Sequence, residues 1–363
     1  MSVPADLLAR TAELVAIPSV SRNEAAMVEW LTERLGGVTG LELTRVGDNL
    51  VARTDLGRPL RLILAGHTDT VPPNGNTEPV IDGDRLSGLG ATDMKGGLAV
   101  MVEVASTLTD PAVDVTFIFY AREEVAAAES GLLDLQRERP DLLDGDAAVL
   151  GEPTSSVIEA GCQGTMRIRI TLCGDRAHTA RPWMGRNAVH RAAPLLTAIA
   201  AEPERQPVIQ GCSFREALQV VKIDGGVATN VVPDRVELVI NHRFAPDRTP
   251  AEAEAHVRAV VEPWLDDGDT FEVEECAVGA LPGLDHPLLA ALQARHGLAV
   301  NAKLGWTDVA RFAAIGVPAV NFGPGDPTIA HTSGEFVTRQ DLEAGFRVLN
   351  DLVHGGIESV PRP

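Results

Sequence analysis

Residues 60–69 read LRLILAGHTD, an apolar run that ends in a histidine and an aspartate. Two further runs have the same form, VTFIFYAREE at 115–124 and AAVLGE at 147–152. Short apolar runs followed by polar residues are typical of strands that are buried on both faces, as in a parallel sheet covered by helices. A helical stretch over 97–108 separates the first two runs. The alternation of strand and helix predicts an α/β fold.

The pattern changes near residue 165. From Met166 the sequence MRIRITL alternates apolar and polar residues, as in a half-exposed strand, and the order strand, helix, strand, strand, helix, strand follows. After residue 278 the alternation of helix and strand returns. The sequence therefore predicts an α/β catalytic domain over 1–165 and 278–363, with a mixed, largely parallel sheet. A smaller α+β domain over 166–277 is predicted to interrupt it.

Length and charge exclude several classes of protein. The chain has 363 residues, enough for two domains, and its 31 Lys and Arg against 51 Asp and Glu give a net charge of −20. So acidic a surface repels phosphate backbones, which argues against nucleic acid as a partner. No apolar run approaches the roughly 18 residues of a membrane span, and the N-terminus is patterned as an amphipathic helix rather than a secretory signal. We therefore expect a cytoplasmic protein with no membrane partner.

Acidic and imidazole side chains follow the predicted strands at the point where each strand ends. His67 and Asp69 follow the first apolar run, Glu123 and Glu124 the second, and Glu152 the third. Each residue alone would fit a solvated or capping role. Because ligands bind at the carboxyl ends of the strands in an open α/β sheet, their coincidence favours a functional site at this edge.

Two more residues complete the candidate set. Asp93 lies in GATDMKGG just before a helix, which it could also cap, and His331 lies in the loop after AVNFGPGDP. Two histidines and several carboxylates are a ligand set of zinc, and two adjacent ions need about that many negative charges. Consecutive residues of an extended segment point in opposite directions. One of Glu123 and Glu124 could therefore bind metal while the other faces a substrate.

The motifs GHTDTVP, GATDMKGGLA, AREE, GEPT and the late His331 resemble those of the dinuclear zinc aminoacylase and carboxypeptidase family, in the correct order across nearly the whole chain. That family includes succinyl-diaminopimelate desuccinylase, acetylornithine deacetylase, aminoacylase and glutamate carboxypeptidases. The resemblance implies a zinc-peptidase-like catalytic domain that is interrupted by a ferredoxin-like lid, through which the protein forms a homodimer.

The resemblance also implies a cofactor, two Zn2+ ions, for which Co2+ or Mn2+ can substitute. By this resemblance His67 and Glu152 would hold one ion, Glu124 and His331 would hold the second, and Asp93 would bridge both. The peptide after the bridging aspartate is expected to be cis.

Three residues are implied to act in the reaction itself. Asp69 matches a carboxylate that orients the zinc-binding histidine before it through the other ring nitrogen. Glu123 matches the general base, which takes a proton from the attacking water and returns it to the leaving nitrogen. His178 in DRAHTARP matches a histidine that crosses the dimer interface and donates a hydrogen bond to the developing oxyanion. The alternative for His178 is an ordinary surface histidine.

Four further residues are implied to bind substrate. Asn230 in GGVATNVVPD and Arg243 in NHRF match lid positions that contact polar groups, and an arginine can grip a carboxylate with two hydrogen bonds. Gly323 and Gly325 in GPGDP would let backbone amides approach the substrate carboxylate. The alternatives are structural: a satisfied turn for Asn230, an ion pair for Arg243 and a shaped turn for the glycines.

The substrate follows from a narrower similarity. RAHTARPWMGRNAVH and GWTDVARF are most similar to the succinyl-diaminopimelate desuccinylases of high-GC Gram-positive bacteria, although Trp306 and Thr307 depart from the Ser/Thr/Gly-rich stretch of other desuccinylases. The similarity implies a small N-acyl amino-acid substrate, N-succinyl-LL-2,6-diaminopimelate, hydrolysed in lysine and diaminopimelate synthesis. Acetylornithine deacetylase and dipeptidase remain alternatives, as does a metal-binding homologue without hydrolytic activity. No G-x-S-x-G motif follows a predicted strand, which argues against a serine hydrolase.

Overall fold

The computed structural model describes residues 6–357, and the backbone separates into two compact units. Unit 1 comprises the chain up to Ala160, Pro282–Asn301 and the chain from Arg311 onward. Unit 2 comprises Gly161–Leu281 and Ala302–Ala310. Among residues 6–357, no helix combines the length and the apolar character that crossing a bilayer requires.

In chain order the helices are α1 (Leu7–Val15), α2 (Ala25–Gly36), α3 (Gly96–Ser106), α4 (Gly131–Glu138), α5 (Ala188–Ala201), α6 (Pro250–Val261), α7 (Pro287–His296), α8 (Val309–Ala314) and α9 (Arg339–Gly355). The strands are β1 (Glu42–Val46), β2 (Asn49–Arg53), β3 (Arg61–His67), β4 (Val80–Asp82), β5 (Arg85–Ser87), β6 (Asp114–Tyr120), β7 (Ala147–Leu150), β8 (Ile158–Ala160), β9 (Gly164–Cys173), β10 (Val208–Ile209), β11 (Cys212–Ser213), β12 (Ala217–Gly225), β13 (Arg235–Phe244), β14 (Thr270–Ala277), β15 (Val300–Ala302), β16 (Ala319–Asn321) and β17 (Phe336–Thr338).

The main sheet of unit 1 has the strand order β1-β2-β6-β3-β7-β16-β8-β15. Its centre is parallel, because β3 pairs in parallel with both β6 and β7, and β16 pairs in parallel with β7. Antiparallel pairs flank this centre, β2 with β6 on one side and β16 with β8 on the other. The mixed, largely parallel sheet predicted from the sequence is confirmed.

The central strands are buried because their sequences are largely apolar. Every residue of β6 and β7 is buried, and so is every residue of β3 after its first. Helix α3 is also buried on all sides, as expected for a helix that is apolar around its whole circumference, and it packs against α1 and α9. The sheet is therefore a rigid platform, and its carboxyl edge can hold side chains in fixed positions.

Unit 2 is a small α+β structure. Its four-stranded antiparallel sheet has the order β12-β13-β9-β14, the strand order of a ferredoxin-like fold. Alternate residues of β9 point into a core that also contains apolar residues of α5 and α6. The period-two pattern of MRIRITL thus predicts a strand with one covered face, and the structure contains this strand.

The unit boundaries differ in detail from the predicted range of 166–277. Strand β9 begins at Gly164, where the sequence GT carries no apolar signal, and residues 302–310 also belong to unit 2. Within unit 2 the backbone N–H of Gln163 donates to the carbonyl of Lys303, and the indole N–H of Trp306 donates to the carbonyl of Val278. Hydrogen bonds to backbone carbonyls leave no trace in a hydropathy pattern.

The buried histidine of β13 makes the stability of unit 2 depend on pH. His242 is 1% exposed, and its Nδ1 lies 3.1 Å from the carbonyl of Ala217. Burial lowers its pKa from 6.5 to about 4. The unfolded chain therefore binds a proton that the folded chain rejects when the pH lies between these two values. The contribution of neutral His242 to the free energy of unfolding is therefore fully present above pH 6.5 and decreases as the pH falls toward 4.

We expect the preference of the unfolded chain for the His242 proton to lower the free energy of unfolding by about 3 kcal/mol as the pH falls from 7.5 to 4. The figure follows from about 1.4 kcal/mol for each pH unit of the pKa difference. His242→Asn keeps a side-chain N–H for the Ala217 carbonyl but does not titrate. Urea unfolding at pH 7.5, 6, 5 and 4 should give a smaller loss for this variant than for the wild type. Equal losses in the two proteins would contradict the assignment.

Candidate active site

Three strands of unit 1 deliver polar side chains to one edge of the sheet. In the parallel register, His67 at the end of β3 lies opposite Tyr120 at the end of β6, and Ala65 lies opposite Leu150 at the end of β7. The segments that follow these strands carry Asp69, Glu123 with Glu124, and Glu152. The register explains why residues far apart in sequence meet, since the carboxyl ends of parallel strands lie together.

Two groups of potential metal ligands share one aspartate. Ligand atoms of His67, Asp93 and Glu152 lie within 4.8 Å of one another, as do those of Asp93, Glu124 and His331. His67 Nε2 is 3.0 Å from Asp93 Oδ1, and His331 Nε2 is 2.8 Å from Glu124 Oε1 and 3.4 Å from Asp93 Oδ2. The structure thus brings together the five residues that the resemblance nominated as ligands, with Asp93 between the two groups.

Asp93 lies in an irregular turn before α3. The peptide from Asp93 to Met94 is cis, as the resemblance implies. The Asp93 side chain is 14% exposed and that of His67 is 1% exposed, whereas that of His331 is half exposed. The site therefore has a buried side at His67 and an open side at His331.

The pKa values in this cluster reflect crowded charge. Burial would raise the pKa of Asp93, but hydrogen bonds with His331 and His67 hold it below its ordinary value. The hydrogen bond with Asp93 raises the pKa of His331 to about 9, whereas burial raises the pKa of Glu124. Protonated imidazoles offset the carboxylate charge in this arrangement. A divalent cation would displace those protons and offset the same charge, so the donor set fits such a cation.

Glu123 lies beside the two groups. A carboxylate oxygen of Glu123 is within 4.8 Å of ligand atoms of His67 and Glu124, and the residue is partly exposed. This position allows either proton transfer at the site or direct coordination of an ion. The family resemblance implies the first of these roles, which stays a prediction.

Asp69 holds the segment that carries both glutamates. Its Oδ1 accepts the backbone N–H of Glu123 and its Oδ2 accepts that of Glu124, each at 3.0 Å, while the hydroxyl of Ser21 donates to Oδ2 at 2.8 Å. His67 Nδ1 is 3.0 Å from the backbone carbonyl of Asp69 but 3.6 Å from its carboxylate. The resemblance implied that the carboxylate orients His67; here the closer partner of the ring is the Asp69 backbone.

The first turn of α3 lies against the strand end that carries Glu152. A Cβ added at Gly97 would lie 2.2 Å from the carbonyl oxygen of Gly151, so the backbone there would have to shift. We expect Gly97→Ala to destabilise the protein by about 1–3 kcal/mol, as overpacking commonly does, and to weaken metal binding because Glu152 moves. Urea unfolding with chelator and metal analysis of the folded protein measure the two effects.

The matched control is Gly36→Ala at the end of α2, where nothing lies within 4 Å of an added Cβ. This variant should unfold within about 1 kcal/mol of the wild type. If Gly97→Ala behaved in the same way in both measurements, the close approach of α3 would have no consequence for the site.

The structure gives the two glycines of GPGDP a packing role. The N–H of Gly323 donates to Thr154 Oγ1 at 3.1 Å, and the carbonyl of Gly325 accepts from Ser155 at 2.7 Å. Gly325 has φ +91°, and a Cβ there would lie 2.5 Å from Thr92 Oγ1. The Gly323 amide is thus already engaged, and contact of these glycines with substrate stays a prediction.

Three nominated residues belong to unit 2. His178 and Asn230 are neighbours there, since Thr179 donates its N–H to the Asn230 carbonyl and His178 bridges to Val231. Arg243 lies on β13 and is half-buried. His178 and Asn230 are exposed within unit 2. Their roles toward substrate stay predictions.

Sequence reasoning missed Glu335. This residue is 1% exposed, and its carboxylate accepts the backbone N–H groups of Gly90, Thr92 and Asp93 at 2.9–3.1 Å. Its position in the sequence could have indicated its burial, because it lies four residues after His331 and directly before an apolar segment. A charged residue at such a position becomes buried only when hydrogen-bonding partners are present.

Comparisons with known proteins agree with this geometry. A model of peptidase family M20/M25/M40 matches residues 63–355. A protein of Mycobacterium tuberculosis, provisionally named succinyl-diaminopimelate desuccinylase, is 46% identical over 353 residues, which cover 96% of this chain and 98% of that protein. The succinyl-diaminopimelate desuccinylase of Corynebacterium glutamicum is 43% identical over 336 residues, which cover 91% of each chain.

Solved structures agree on the fold. The aminopeptidase PepT of Bacillus cereus is 23% identical with a TM-score of 0.77, over 96% of this chain and 97% of that one. A dinuclear metal-binding peptidase from the M20 family of Bacillus subtilis is 16% identical with a TM-score of 0.73, over 98% of each chain. At such identities the likeness supports the fold alone. The family match, together with the relatives above 40% identity, shows that the chain belongs to peptidase family M20/M25/M40.

Proposed function

We propose that this protein is a metal-dependent amide hydrolase that converts N-succinyl-LL-2,6-diaminopimelate and water to succinate and LL-2,6-diaminopimelate. The observation that carries the proposal is the pair of ligand groups that share Asp93, with Glu123 beside them. The substrate is proposed from the two relatives named for this reaction. The reaction belongs to lysine and diaminopimelate synthesis, and we accordingly propose a cytoplasmic location.

The proposed cofactor is a pair of Zn2+ ions. His67 and Glu152 would hold one ion, Glu124 and His331 the other, and Asp93 both. Two imidazoles and three carboxylates suit zinc, and Co2+ or Mn2+ accept the same donors. When bound, the ions would act as Lewis acids toward the amide carbonyl and lower the pKa of the attacking water.

The protein's own residues would perform the proton transfers. Glu123 would accept the proton of the attacking water and later donate it to the leaving nitrogen. Asp69 would keep Glu123 in place through the backbone N–H that it accepts. Arg243 and Asn230 of unit 2 would bind the carboxylate and polar groups of the substrate. Gly323 and Gly325 of unit 1 would contact the substrate carboxylate through their backbone.

We further propose that two copies of the chain associate through unit 2, so that His178 of one copy donates a hydrogen bond to the oxyanion formed in the other. The mass in solution, measured by sedimentation equilibrium, tests the association. A monomer at the enzyme concentrations that support full activity would exclude this role of His178.

A hydrolysis panel tests the substrate. The zinc-loaded protein would be assayed with N-succinyl-LL-diaminopimelate, N-acetylornithine, several N-acyl amino acids and dipeptides, each with a chelated control. We expect kcat/KM to favour the succinyl substrate by about 10³-fold or more, which corresponds to about 4 kcal/mol of differential transition-state binding. Chelator-sensitive activity on another amide would overturn the substrate but keep the amidase. Inactivity on every compound with two ions bound would favour a non-catalytic homologue.

A further inference from the structure

The loop of His331 continues into a residue that holds the backbone around Asp93. Glu335 Oε1 accepts the N–H groups of Thr92 and Asp93, both at 2.9 Å, and Oε2 accepts the N–H of Gly90 at 3.1 Å. One buried carboxylate therefore binds three N–H groups within four consecutive residues. One of these is the N–H of Asp93 itself, the residue common to both ligand groups.

Backbone contacts reinforce this attachment. The hydroxyl of Thr92 donates to the carbonyl of Phe336 at 2.6 Å, and the N–H of Gly88 donates to the carbonyl of Glu335 at 3.2 Å. The segment after His331 is thus bonded along the turn that presents Asp93. Because His331 lies only four residues before Glu335, these contacts join the loop that contains His331 to the turn that contains Asp93.

The three backbone N–H groups need acceptors on both oxygens of the side chain, which a carboxylate provides. A carboxylate is acceptor-only, so both of its oxygens can face N–H groups. A carboxamide of the same shape has one acceptor oxygen, and its NH2 group would face at least one of the three N–H groups. That N–H would then be buried without a partner, which is the costly way to lose a hydrogen bond.

We propose that Glu335 is a positioning residue for metal binding: it fixes the Asp93 turn and ties it to the His331 loop before an ion arrives. This inference rests on the proposed function, because it assigns the residue a role toward the ions that the enzyme would use. Residues that orient metal ligands in this way typically change metal affinity by about 10–100-fold when they are replaced.

The main test is Glu335→Gln. We expect its affinity for Zn2+, measured by competition with a chromophoric chelator, to fall by about 10–100-fold, with a matching fall in the metal retained after gel filtration. Thr92→Val is a milder second variant, which removes only the hydrogen bond to Phe336 and should weaken binding in the same direction. It keeps the test decisive if Glu335→Gln fails to fold.

The matched control is Asp114→Asn at the opposite end of β6. Asp114 is 3% exposed, and its carboxylate accepts the N–H groups of Leu56 and Arg58 and the hydroxyl of Thr54. It is therefore a buried, three-donor carboxylate distant from the metal ligands along its strand. We expect Asp114→Asn and Glu335→Gln both to lower the melting temperature measured in the presence of chelator. Asp114→Asn should nevertheless keep the zinc affinity of the wild type.

The outcomes separate the two hypotheses. If the wild type binds zinc and Glu335→Gln and Thr92→Val bind it equally well, the positioning role is overturned and the proposed function stands. An equal loss of affinity in Asp114→Asn would also overturn the role, since any destabilisation would then suffice. A wild-type protein that binds no divalent ion would overturn both.

Discussion

Glu123→Gln should lower kcat by about 10²–10⁴-fold while two metal ions stay bound, because the carboxamide keeps the shape of the side chain but cannot accept a proton. KM should change little, since Glu123 is assigned no contact with the ground-state substrate. Steady-state kinetics on the preferred amide, combined with metal analysis of the same preparation, measures both quantities.

The metal analysis matters because Glu123 also lies within ligand distance of His67 and Glu124. If Glu123→Gln lost an ion together with its activity, Glu123 would be a ligand rather than the general base. Glu138→Gln, an exposed glutamate at the end of α4, is the control and should keep wild-type kcat. Near-normal turnover of Glu123→Gln would remove the residue from proton transfer altogether.

Asp93→Ala should eliminate both metal ions, whereas His331→Ala should eliminate only one. Asp93 is the single residue common to both ligand groups, while His331 belongs to one of them. Loss of a shared carboxylate leaves His67 with Glu152 on one side and Glu124 with His331 on the other. Two protein ligands fall short of the three that zinc has in catalytic sites.

The stoichiometry of bound zinc after gel filtration distinguishes the two variants. We expect about two equivalents in the wild type, none in Asp93→Ala and one in His331→Ala, with the activity of Asp93→Ala falling below that of Glu123→Gln. Retention of one equivalent by Asp93→Ala would mean that the groups bind independently, and that Asp93 does not bridge.

The sequence predicts best what the strands themselves determine. His67, Glu124 and Glu152 lie at or just after the ends of mainly apolar runs, so the carboxyl edge of a parallel sheet is enough to bring them near each other. In unit 2 the alternating strands and the helices between them predict a small α+β domain, whereas its ferredoxin-like strand order was implied by the family resemblance. Periodicity and strand direction together carry this information.

The remaining features depend on contacts between loops. Asp69 accepts the N–H groups of Glu123 and Glu124, and Glu335 accepts that of Asp93, across 54 to 242 residues of sequence. The local pattern does not identify the N–H groups that such a carboxylate accepts, because those groups lie in a distant loop. The sequence does not predict that residues 302–310 belong to unit 2 for a related reason, since the backbone hydrogen bond from Gln163 to Lys303 is independent of side-chain type.

The nested arrangement of the units determines the order in which the residues of the candidate site are translated. Strand β16 lies beside β7 in the main sheet, yet the whole of Gly161–Leu281 is translated between them. A nascent chain that ends within unit 2 already carries His67, Asp93, Glu124 and Glu152 but lacks His331. Such a chain also lacks residues 302–310, which complete unit 2. The main sheet of unit 1 stays incomplete until β16 emerges, and His331, the last of the proposed metal ligands, follows β16 in the chain.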